Sequence, residues 1–449
     1  MSERDPERNR FAGRAARFVQ VGAGLSGAAA TFGASALFGK GDADTRNARA
    51  LKEALGQLKG PLMKVAQMVA TIPDLLPPEF AQELAELQTN APPMGSGFVR
   101  RRMAAELGPD WQARFGSFEL QPSAAASLGQ VHRATSTDGR ALAVKLQYPD
   151  MQSAVESDLG QMRAAMAIGR QLFGQIDTRE IAIEISERIR EELDYGREAR
   201  AMALYRGFFD GRDDIAVPEP MLGLSTGRLL TMEWLDGRSL LAFKDAPLEQ
   251  RNRIARLLFE AWWTPLIRIG VIHGDPHLGN YTFAGEAERL NLLDFGCIRI
   301  FEPSFVAGVV ALYEALLSGD REAQLAAYQS WGFKGVKPEL VESLNIWARF
   351  IYGPLLDNRT RTVADGIEPG MYGRREAFQV KQALLSQGPV TIPKPFVFMD
   401  RAAIGLGSAF LHLGAELNWY ELFHQSLDGF SQEGLAARQS AVLEAVGLT

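Results

Sequence analysis

Two short stretches in the second half of the chain decide the fold: Val271-Ile-His-Gly-Asp-Pro-His-Leu-Gly-Asn280 and Leu292-Leu-Asp-Phe-Gly296. Phosphoryl transfer needs a carboxylate beside the acceptor, an amide oxygen on a metal ion, and a second carboxylate between the metal and the phosphates. Asp275, Asn280 and Asp294 supply these three groups. The first stretch therefore indicates a catalytic loop, and the second indicates a metal-binding turn.

The spacing within and between the two stretches supports this interpretation. Asp275 and Asn280 lie five residues apart, as in the kinase loop H-R-D-x-x-x-x-N, and Asp294 opens a D-F-G after the apolar run 290–293. Gly, Asp, Pro and Asn also favour ordinary turns, so either stretch alone could be a polar turn. Because both occur in this order, the sequence favours Asp275 as base or orienting group and Asn280 and Asp294 as Mg²⁺ ligands.

Three other residues near these stretches receive no catalytic role. We expect His273 to be a structural loop residue, and we assign no function to His277. Cys297 is expected to be a small packing residue rather than a reactive thiol.

Length and composition limit the class of protein. A chain of 449 residues suggests two or three domains or lobes, and 46% hydrophobic with 23% charged residues is typical of a folded globular protein. The net charge of −6 argues against a broad nucleic-acid-binding surface. A single cysteine excludes an internal disulfide framework, so we expect a reducing, cytoplasmic setting.

Residues 1–44 form a leader with a long uncharged segment. Five arginines lie within residues 1–17, and residues 18–39 run for twenty-two residues without a charge, which is long enough to cross a bilayer as a helix. The small residues of this run favour close helix packing, and a single crossing would leave the arginines outside, against the positive-inside tendency. We expect a helix that packs on protein or rests on a membrane surface, and we leave insertion open.

The same segment contains a dinucleotide-binding pattern. Gly22, Gly24 and Gly27 form G-x-G-x-x-G after a short apolar run. The fingerprint requires a second strand ending in an acid about twenty residues later. That position holds the turn Lys40-Gly-Asp-Ala-Asp-Thr45, so a Rossmann unit is disfavoured.

The next two sections are expected to be a helical extension and a small strand-rich lobe. By periodicity alone, Lys64 and Gln67 lie on a solvated helix face. A loop of small side chains follows, which would let backbone amides approach phosphates, and Lys145 lies in A-V-K on the next predicted strand. The loop residues are Ala124, Ala125, Ala126 and Ser127.

A predicted helix over residues 178–209 and an extended connector complete the small lobe. A buried lysine of this kind needs a carboxylate to orient it, and Asp194 and Glu198 fall on one helical face. Backbone groups from Glu233 to Leu235 are expected to meet the adenine. After Ile300 the pattern is almost entirely helical.

At this point the sequence resembles the UbiB/AarF/ADCK atypical kinase family over residues 45–425. Lys64-Val-Ala-Gln67 resembles its K-x-G-Q helix, Ala124-Ala-Ala-Ser127 its alanine-rich loop, and Glu192-Leu-Asp194 its E-x-D motif. The stretch from Met399-Asp-Arg to Asn418-Trp is also similar. The family's kinase-core positions fall on Lys145, Glu198, Asp275, Asn280 and Asp294.

The resemblance implies an α+β, protein-kinase-like two-lobe fold. A helical extension at residues 45–97 would precede a small mixed N-lobe at 98–235 and a large helical C-lobe at 236–449. The K-x-G-Q helix would cover the active site, with Lys64 pairing to Glu192 and Asp194. Ala66 departs from the motif glycine, and its methyl group could shift this helix, with Lys64 and Gln67, against the nucleotide.

The resemblance also implies an ATP- and Mg²⁺-dependent kinase or ATPase. Family members are linked to isoprenoid quinone (ubiquinone) biosynthesis and to lipid handling at membranes. The expected partners are ATP, a quinone precursor or lipid, and membrane-associated biosynthetic enzymes, with no nucleic acid. The phosphoryl acceptor, the oligomeric state and attachment to the inner face of the membrane stay open.

Two other functions compete with this interpretation. Small-molecule phosphotransferases of the aminoglycoside or choline kinase type have a nearly identical H-G-D-x-x-x-x-N loop, although they have no reason to keep a helix such as Lys64 to Gln67. A nucleotide-dependent scaffold would bind ATP with little catalysis of its own.

Overall fold

The computed structural model carries side chains and describes most of the chain after residue 93. The described residues are 94–126, 128–148, 190–275, 277–333, 335–364 and 394–448, together with the isolated residues Met151, Val155, Glu187 and Gln379. The leader, the glycine pattern and the helical extension therefore lie wholly or almost wholly outside the described residues.

The elements follow one another in chain order. The strands are β1 (Ser117–Phe118), β2 (Ala124–Ala126), β3 (Gly129–Thr135), β4 (Ala141–Gln147), β5 (Ile215–Ala216), β6 (Leu229–Glu233), β7 (Arg238–Ser239), β8 (Val271–His273), β9 (Tyr281–Ala284), β10 (Arg289–Leu292) and β11 (Ile298–Ile300). The helices are α1 (Ser96–Leu107), α2 (Tyr195–Phe208), α3 (Leu248–Ile269), α4 (Pro303–Ser318), α5 (Arg321–Ser330), α6 (Pro338–Tyr352), α7 (Lys394–Leu413), α8 (Trp419–Leu427) and α9 (Gln432–Val446).

These elements form two compact units. Of the described residues, the first contains those up to Ala199 together with Pro220–Trp234, and the second contains Arg200–Glu219 together with those from Leu235 onward. The division passes through α2, whose first residues belong to the first unit.

The first unit is built on an antiparallel sheet in the order β1-β3-β4-β6, with β2 paired to β3. In β4 the run Ala-Leu-Ala-Val-Lys-Leu-Gln has six consecutive buried residues, so both faces of this strand are covered. Val99 and Met103 of α1 pack with Trp111 and Phe115 against one face. A strand of this kind can hold a lysine out of water only if a partner compensates its charge.

The first helix is shorter than the sequence pattern indicates. A helix is expected over 98–115, but α1 ends at Leu107, because Gly108 adopts a φ of 93° that L residues rarely adopt. A short 3₁₀ turn, Trp111–Arg114, follows. Glu106 fixes the end of α1 to the sheet by accepting from Arg228 at 2.9 Å and Thr226 at 2.6 Å.

The predicted helix over 178–209 is also interrupted. The chain leaves the helical conformation at Leu193 and Asp194, and α2 begins at Tyr195. Asp194 acts as its N-cap, since Oδ1 accepts from the backbone N–H of Arg197 at 2.9 Å. The interruption arises from N-capping by Asp194, which a periodic apolar pattern does not reveal.

The second unit is helical apart from two small sheets. Helix α3 lies at its centre, and α7, α8 and α9 pack against it. One sheet has the order β5-β10-β9-β7, and the other pairs β8 with β11, joining Val271 to Ile300 and His273 to Ile298. Strand β8 begins the first motif stretch, and β11 starts two residues after the second one ends.

The junction between α3 and β8 is tightly specified. Gly270 ends α3 with a φ of 64°, and a Cβ there would collide with the side-chain amide of Gln439 in α9. That amide donates to the carbonyls of Ile269 at 3.0 Å and Phe301 at 2.8 Å. One buried side chain thus joins the backbone before the first stretch to the backbone after the second.

The family-like stretch from Met399 to Trp419 comprises most of α7 and the first residue of α8. None of the helices within the described ranges combines the length and apolar character needed to cross a bilayer.

Candidate active site

Lys145 and Glu198 form a buried ion pair in the first unit. Lys145 Nζ donates to Glu198 Oε1 at 2.8 Å and Oε2 at 3.0 Å, and the two residues are 8% and 2% exposed. Strand β4 presents the lysine and the first turns of α2 present the glutamate. The pair holds the ammonium in one place, which is the orienting arrangement expected for a lysine that binds nucleotide phosphates.

The alanine segment is a strand rather than a loop. Ala124, Ala125 and Ala126 pair with β3, and Ala126 lies opposite Gly129. The edge of β3 offers unpaired backbone groups, and extended alanines can satisfy them while exposing almost no side-chain bulk. Ala124 and Ala125 are exposed and Ala126 is half-buried; Ser127 lies outside the described residues.

The two acids of the E-x-D motif lie in different environments. Glu192 is buried at 8% exposure, whereas Asp194 is exposed and caps α2. They therefore do not share a continuous helix face with Glu198. Lys64 and Gln67 lie outside the described residues.

The predicted adenine connector begins at the edge of the sheet. Glu233 ends β6, which pairs with β4 at the end of the strand order in the described part of the chain, and Glu233 and Leu235 are half-buried. The N–H of Trp234 donates to the carbonyl of Ala141 at 2.9 Å. Because strand backbone groups alternate in direction, the Glu233 carbonyl and the Leu235 N–H are the groups suited to face a ligand.

The first motif stretch forms a strand and a short 3₁₀ turn in the second unit. Asn280 Nδ2 donates to the Asp275 carbonyl at 3.2 Å, which orients the amide relative to the carboxylate residue. His277 caps the turn Leu278–Asn280 by accepting from Gly279 N–H at 3.1 Å. His277 thus has a structural role that the sequence did not suggest. Asp275 and Asn280 are half-buried.

Two hydrogen bonds join the D-F-G segment to the first motif stretch. Leu293 N–H donates to the Asn280 carbonyl at 3.0 Å, and His273 Nε2 donates to the Asp294 carbonyl. Asp294 Oδ1 accepts from Gly296 N–H at 2.9 Å, which closes the turn. His273 is 2% exposed and ends β8, so it lies in a strand rather than the expected loop, and its hydrogen bond positions the backbone of a candidate metal ligand.

An aromatic cluster supports these loops from the interior of the second unit. Phe295 is fully buried, and its ring lies 5.3 Å from Tyr205 and 5.9 Å from His273. Tyr281, next to Asn280, lies 5.8 Å from His273. Burial, followed by the nearby Asp275 charge, raises the pKa of Tyr281, so its phenol stays protonated. Sequence patterns gave no sign of Tyr205 or Tyr281, because contacts between distant elements create the cluster.

The donor chemistry fits Mg²⁺ bound with a nucleotide. Asp294 and Asn280 offer carboxylate and amide oxygens, the hard ligands that Mg²⁺ prefers. Among the described residues, no group of three or more His, Cys, Asp or Glu could hold a metal ion on its own. Mg²⁺ usually takes one or two protein ligands and completes its shell with phosphate oxygens and water. Cys297 is buried, consistent with a packing role.

The fold is mixed α+β, and the two motif stretches carry the residue types of a kinase catalytic loop and a metal-binding turn. A model of the ABC1 atypical kinase-like domain matches residues 86–328, more than half of the chain. The chain therefore belongs to the ABC1 atypical kinase-like family, which confirms the expected UbiB/AarF/ADCK relationship.

Individual proteins show the same relationship. The chain is 30% identical over 365 residues to "Atypical kinase coq-8, mitochondrial" of Caenorhabditis elegans, covering 77% of this chain and 48% of that protein. It is 27% identical over 251 residues to "Atypical kinase COQ8, mitochondrial" of Saccharomyces cerevisiae, covering 56% of this chain and 50% of that protein. The chain thus spans about half the length of these curated relatives.

A solved structure is also similar. Rv3197 of Mycobacterium tuberculosis, determined in complex with erythromycin, superposes with a TM-score of 0.59 at 27% sequence identity. The match covers 85% of this chain and 96% of that chain.

Proposed function

We propose that this protein is an atypical kinase or ATPase that binds MgATP. The observation that carries the proposal is the buried Lys145–Glu198 ion pair, because a structural role alone gives little reason to keep a lysine inside a sheet. Lys145 would bind the α- and β-phosphates, oriented by Glu198. The Glu233 carbonyl and the Leu235 N–H would bind the adenine.

The remaining groups would come from the two motif stretches. Asn280 and Asp294 would hold Mg²⁺, which when bound neutralises charge on the phosphates. Asp275 would accept the proton of the attacking hydroxyl or water, or orient it. The short alanine side chains of β2 would let the backbone approach the phosphates. Lys64, Gln67, Glu192 and Asp194 would help to close the nucleotide site, and Ser127 would contact the phosphates.

We further propose that the protein supports isoprenoid quinone (ubiquinone) biosynthesis or lipid metabolism at a membrane. The support is membership of the family and its similarity to the atypical kinases of the coq-8 type. The substrate would be a quinone precursor or a lipid, and membrane-associated biosynthetic enzymes would be partners.

ATP turnover tests the proposal. Wild-type protein should hydrolyse or transfer the γ-phosphate of MgATP, and Asp275→Asn should lower kcat by about 10²-fold or more, as loss of a general base does. Asp245→Asn changes a carboxylate whose side chain is 87% exposed and serves as the matched control. Stimulation by phenolic quinone precursors or by liposomes would support the membrane role. Equal turnover by Asp275→Asn and wild type would contradict the assignment, and efficient phosphorylation of choline or an aminoglycoside would favour a small-molecule phosphotransferase.

A further inference from the structure

Tyr195 is a buried polar residue to which the proposed function gives no role. It is 1% exposed and is the first residue of α2, directly after the cap Asp194. Glu198 follows three residues later, so both side chains project from the same side of the helix. Tyr195 therefore lies where α2 meets the candidate phosphate-binding lysine.

The ring of Tyr195 contacts the charge of Lys145. The lysine ammonium lies 5.2 Å from the ring centroid, while Glu198 binds the same ammonium at 2.8 Å. A cation within about 6 Å of an aromatic face is attracted by the ring quadrupole, most strongly where water is excluded. Two side chains of one helix turn thus hold the ammonium, one by charge and one by its ring.

The hydroxyl of Tyr195 reaches the alanine hairpin, which is formed by β2 (Ala124–Ala126) and the β3 residues paired with it, Gly129–Val131. A Cβ built on Gly129 would lie 3.1 Å from the Tyr195 hydroxyl and would collide with the Leu146 carbonyl of β4. Gly129 is the first residue of β3 and pairs with Ala126. The absence of a side chain at Gly129 lets the phenol approach the start of β3 closely.

We propose that Tyr195 is a positioning residue that couples the alanine hairpin to the Lys145–Glu198 pair. Its ring holds the Lys145 ammonium in place for the phosphates, and the packing of the same side chain beside Gly129 supports the hairpin. The inference rests on the proposed nucleotide function and assigns a determinant of nucleotide affinity to a side chain that does not itself touch the nucleotide.

Substitutions at this position separate the ring from the hydroxyl. Tyr195→Phe keeps the ring, so the KM for ATP should stay within about twofold of wild type. Tyr195→Leu removes the ring and should raise the KM roughly tenfold, the size expected for a desolvated cation–π contact, with kcat changed less than threefold. Tyr328→Leu, at a tyrosine buried in the helical unit, is the control for loss of a buried ring and should leave the KM unchanged.

A fluorinated series gives a readout that packing alone would not change. Starting from Tyr195→Phe, successive fluorines on the ring weaken its quadrupole at nearly constant shape, so the dissociation constant for MgATP should rise with each fluorine. This series also decides the matter if Tyr195→Leu does not fold. A flat series, or a Tyr195→Phe variant as impaired as Tyr195→Leu, would overturn the inference. If Lys145→Ala instead binds and turns over ATP like wild type, the proposed function itself fails, whatever Tyr195 does.

Discussion

At the scale of single residues, Lys145 and Glu198 compensate each other inside the first unit. Both side chains are almost fully buried, so removal of one leaves the charge of the other buried and uncompensated. Removal of both charges by apolar residues of similar volume leaves no such penalty. Stability and nucleotide binding should therefore respond differently to single and double substitutions.

We predict that Glu198→Leu lowers the free energy of unfolding by about 3–5 kcal/mol. The double variant Lys145→Met with Glu198→Leu should recover most of this loss while nucleotide binding stays absent. Urea unfolding and nucleotide titration of the same preparations check both parts. A double variant less stable than Glu198→Leu would show that the pair is not coupled in this way.

His132 makes the stability of the first unit depend on pH. It is fully buried, with Nδ1–H donating to the Glu119 carbonyl at 2.7 Å and Nε2 accepting from Gln130 at 2.8 Å. Gln130 Oε1 in turn accepts from the N–H of Met94 at 2.8 Å. Burial lowers the pKa of His132 below 6.5, so the unfolded chain binds this proton more readily than the folded chain does.

The free energy of unfolding should therefore fall as the pH drops below about 6.5, where the unfolded state binds more protons. His132→Gln, which stays neutral, should show a weaker fall between pH 7.5 and 5.5. Urea titrations at several pH values measure this, and His412→Gln changes an exposed histidine as the control. An identical slope in wild type and His132→Gln would contradict the prediction.

Asp400 makes stability depend on pH in the opposite direction. Trp347 Nε1–H donates to its carboxyl at 2.6 Å, and burial raises its pKa from 3.8 to about 8. The folded state then binds the proton that the unfolded state releases, so stability is lost as the pH rises from about 4 to 8. Asp400→Asn should gain thermal stability over wild type, and the gain should be larger at pH 8 than at pH 5. A gain that shrinks with rising pH would contradict this assignment.

At the scale of elements, Arg251 fixes the end of α7 to α3. Its Nη1 donates to the Leu413 carbonyl and to the Gly414 carbonyl, the latter at 3.0 Å, and its Nε donates to the Ala246 carbonyl. Carbonyls at the end of a helix have no partner within the helix. One side chain therefore satisfies the terminus of α7 and anchors the loop before α3.

Arg251→Ala should lower the free energy of unfolding by about 1.5–3 kcal/mol, the range for hydrogen bonds made by a charged group. Arg253→Ala is the matched control on the same helix, because its 3.5 Å pair with Glu249 is solvent-exposed and should be worth at most about 0.5 kcal/mol. Equal losses in the two variants would show that the contacts to α7 are not the cause.

The sequence predicts elements well where periodicity and turn chemistry agree. The strand carrying Lys145 is found as expected, and the Thr-Asp-Gly turn before it has Gly139 at a φ of 88°. The limits of α1 and α2 are not, because Gly108 and the cap Asp194 end or begin a helix inside an apolar pattern that continues. Local backbone chemistry decides these boundaries.

The residues of the candidate site also fall into those that sequence spacing reveals and those that only the structure reveals. Asp275, Asn280 and Asp294 are recognised from spacing, since their positions along the chain reflect the chemistry. The roles of His273 and Tyr195 depend on contacts with elements distant in sequence. A single sequence contains no signal for such contacts beyond the residue types.

At the scale of the whole molecule, the two units carry different parts of the proposed chemistry. The first holds Lys145, Glu198 and the alanine hairpin, and the second holds Asp275, Asn280 and Asp294. The central claim is that Lys145 and Asp294 serve the same bound nucleotide. The affinity for the nucleotide should therefore depend on Mg²⁺, and this dependence should require Asp294.

Calorimetric titration of ATP with and without Mg²⁺ measures that dependence. Wild type should bind ATP more tightly when Mg²⁺ is present, Asp294→Asn should lose this dependence, and Lys145→Ala should bind ATP at least tenfold more weakly than wild type in the presence of Mg²⁺. Wild-type affinity and wild-type Mg²⁺ dependence in both variants would contradict the account.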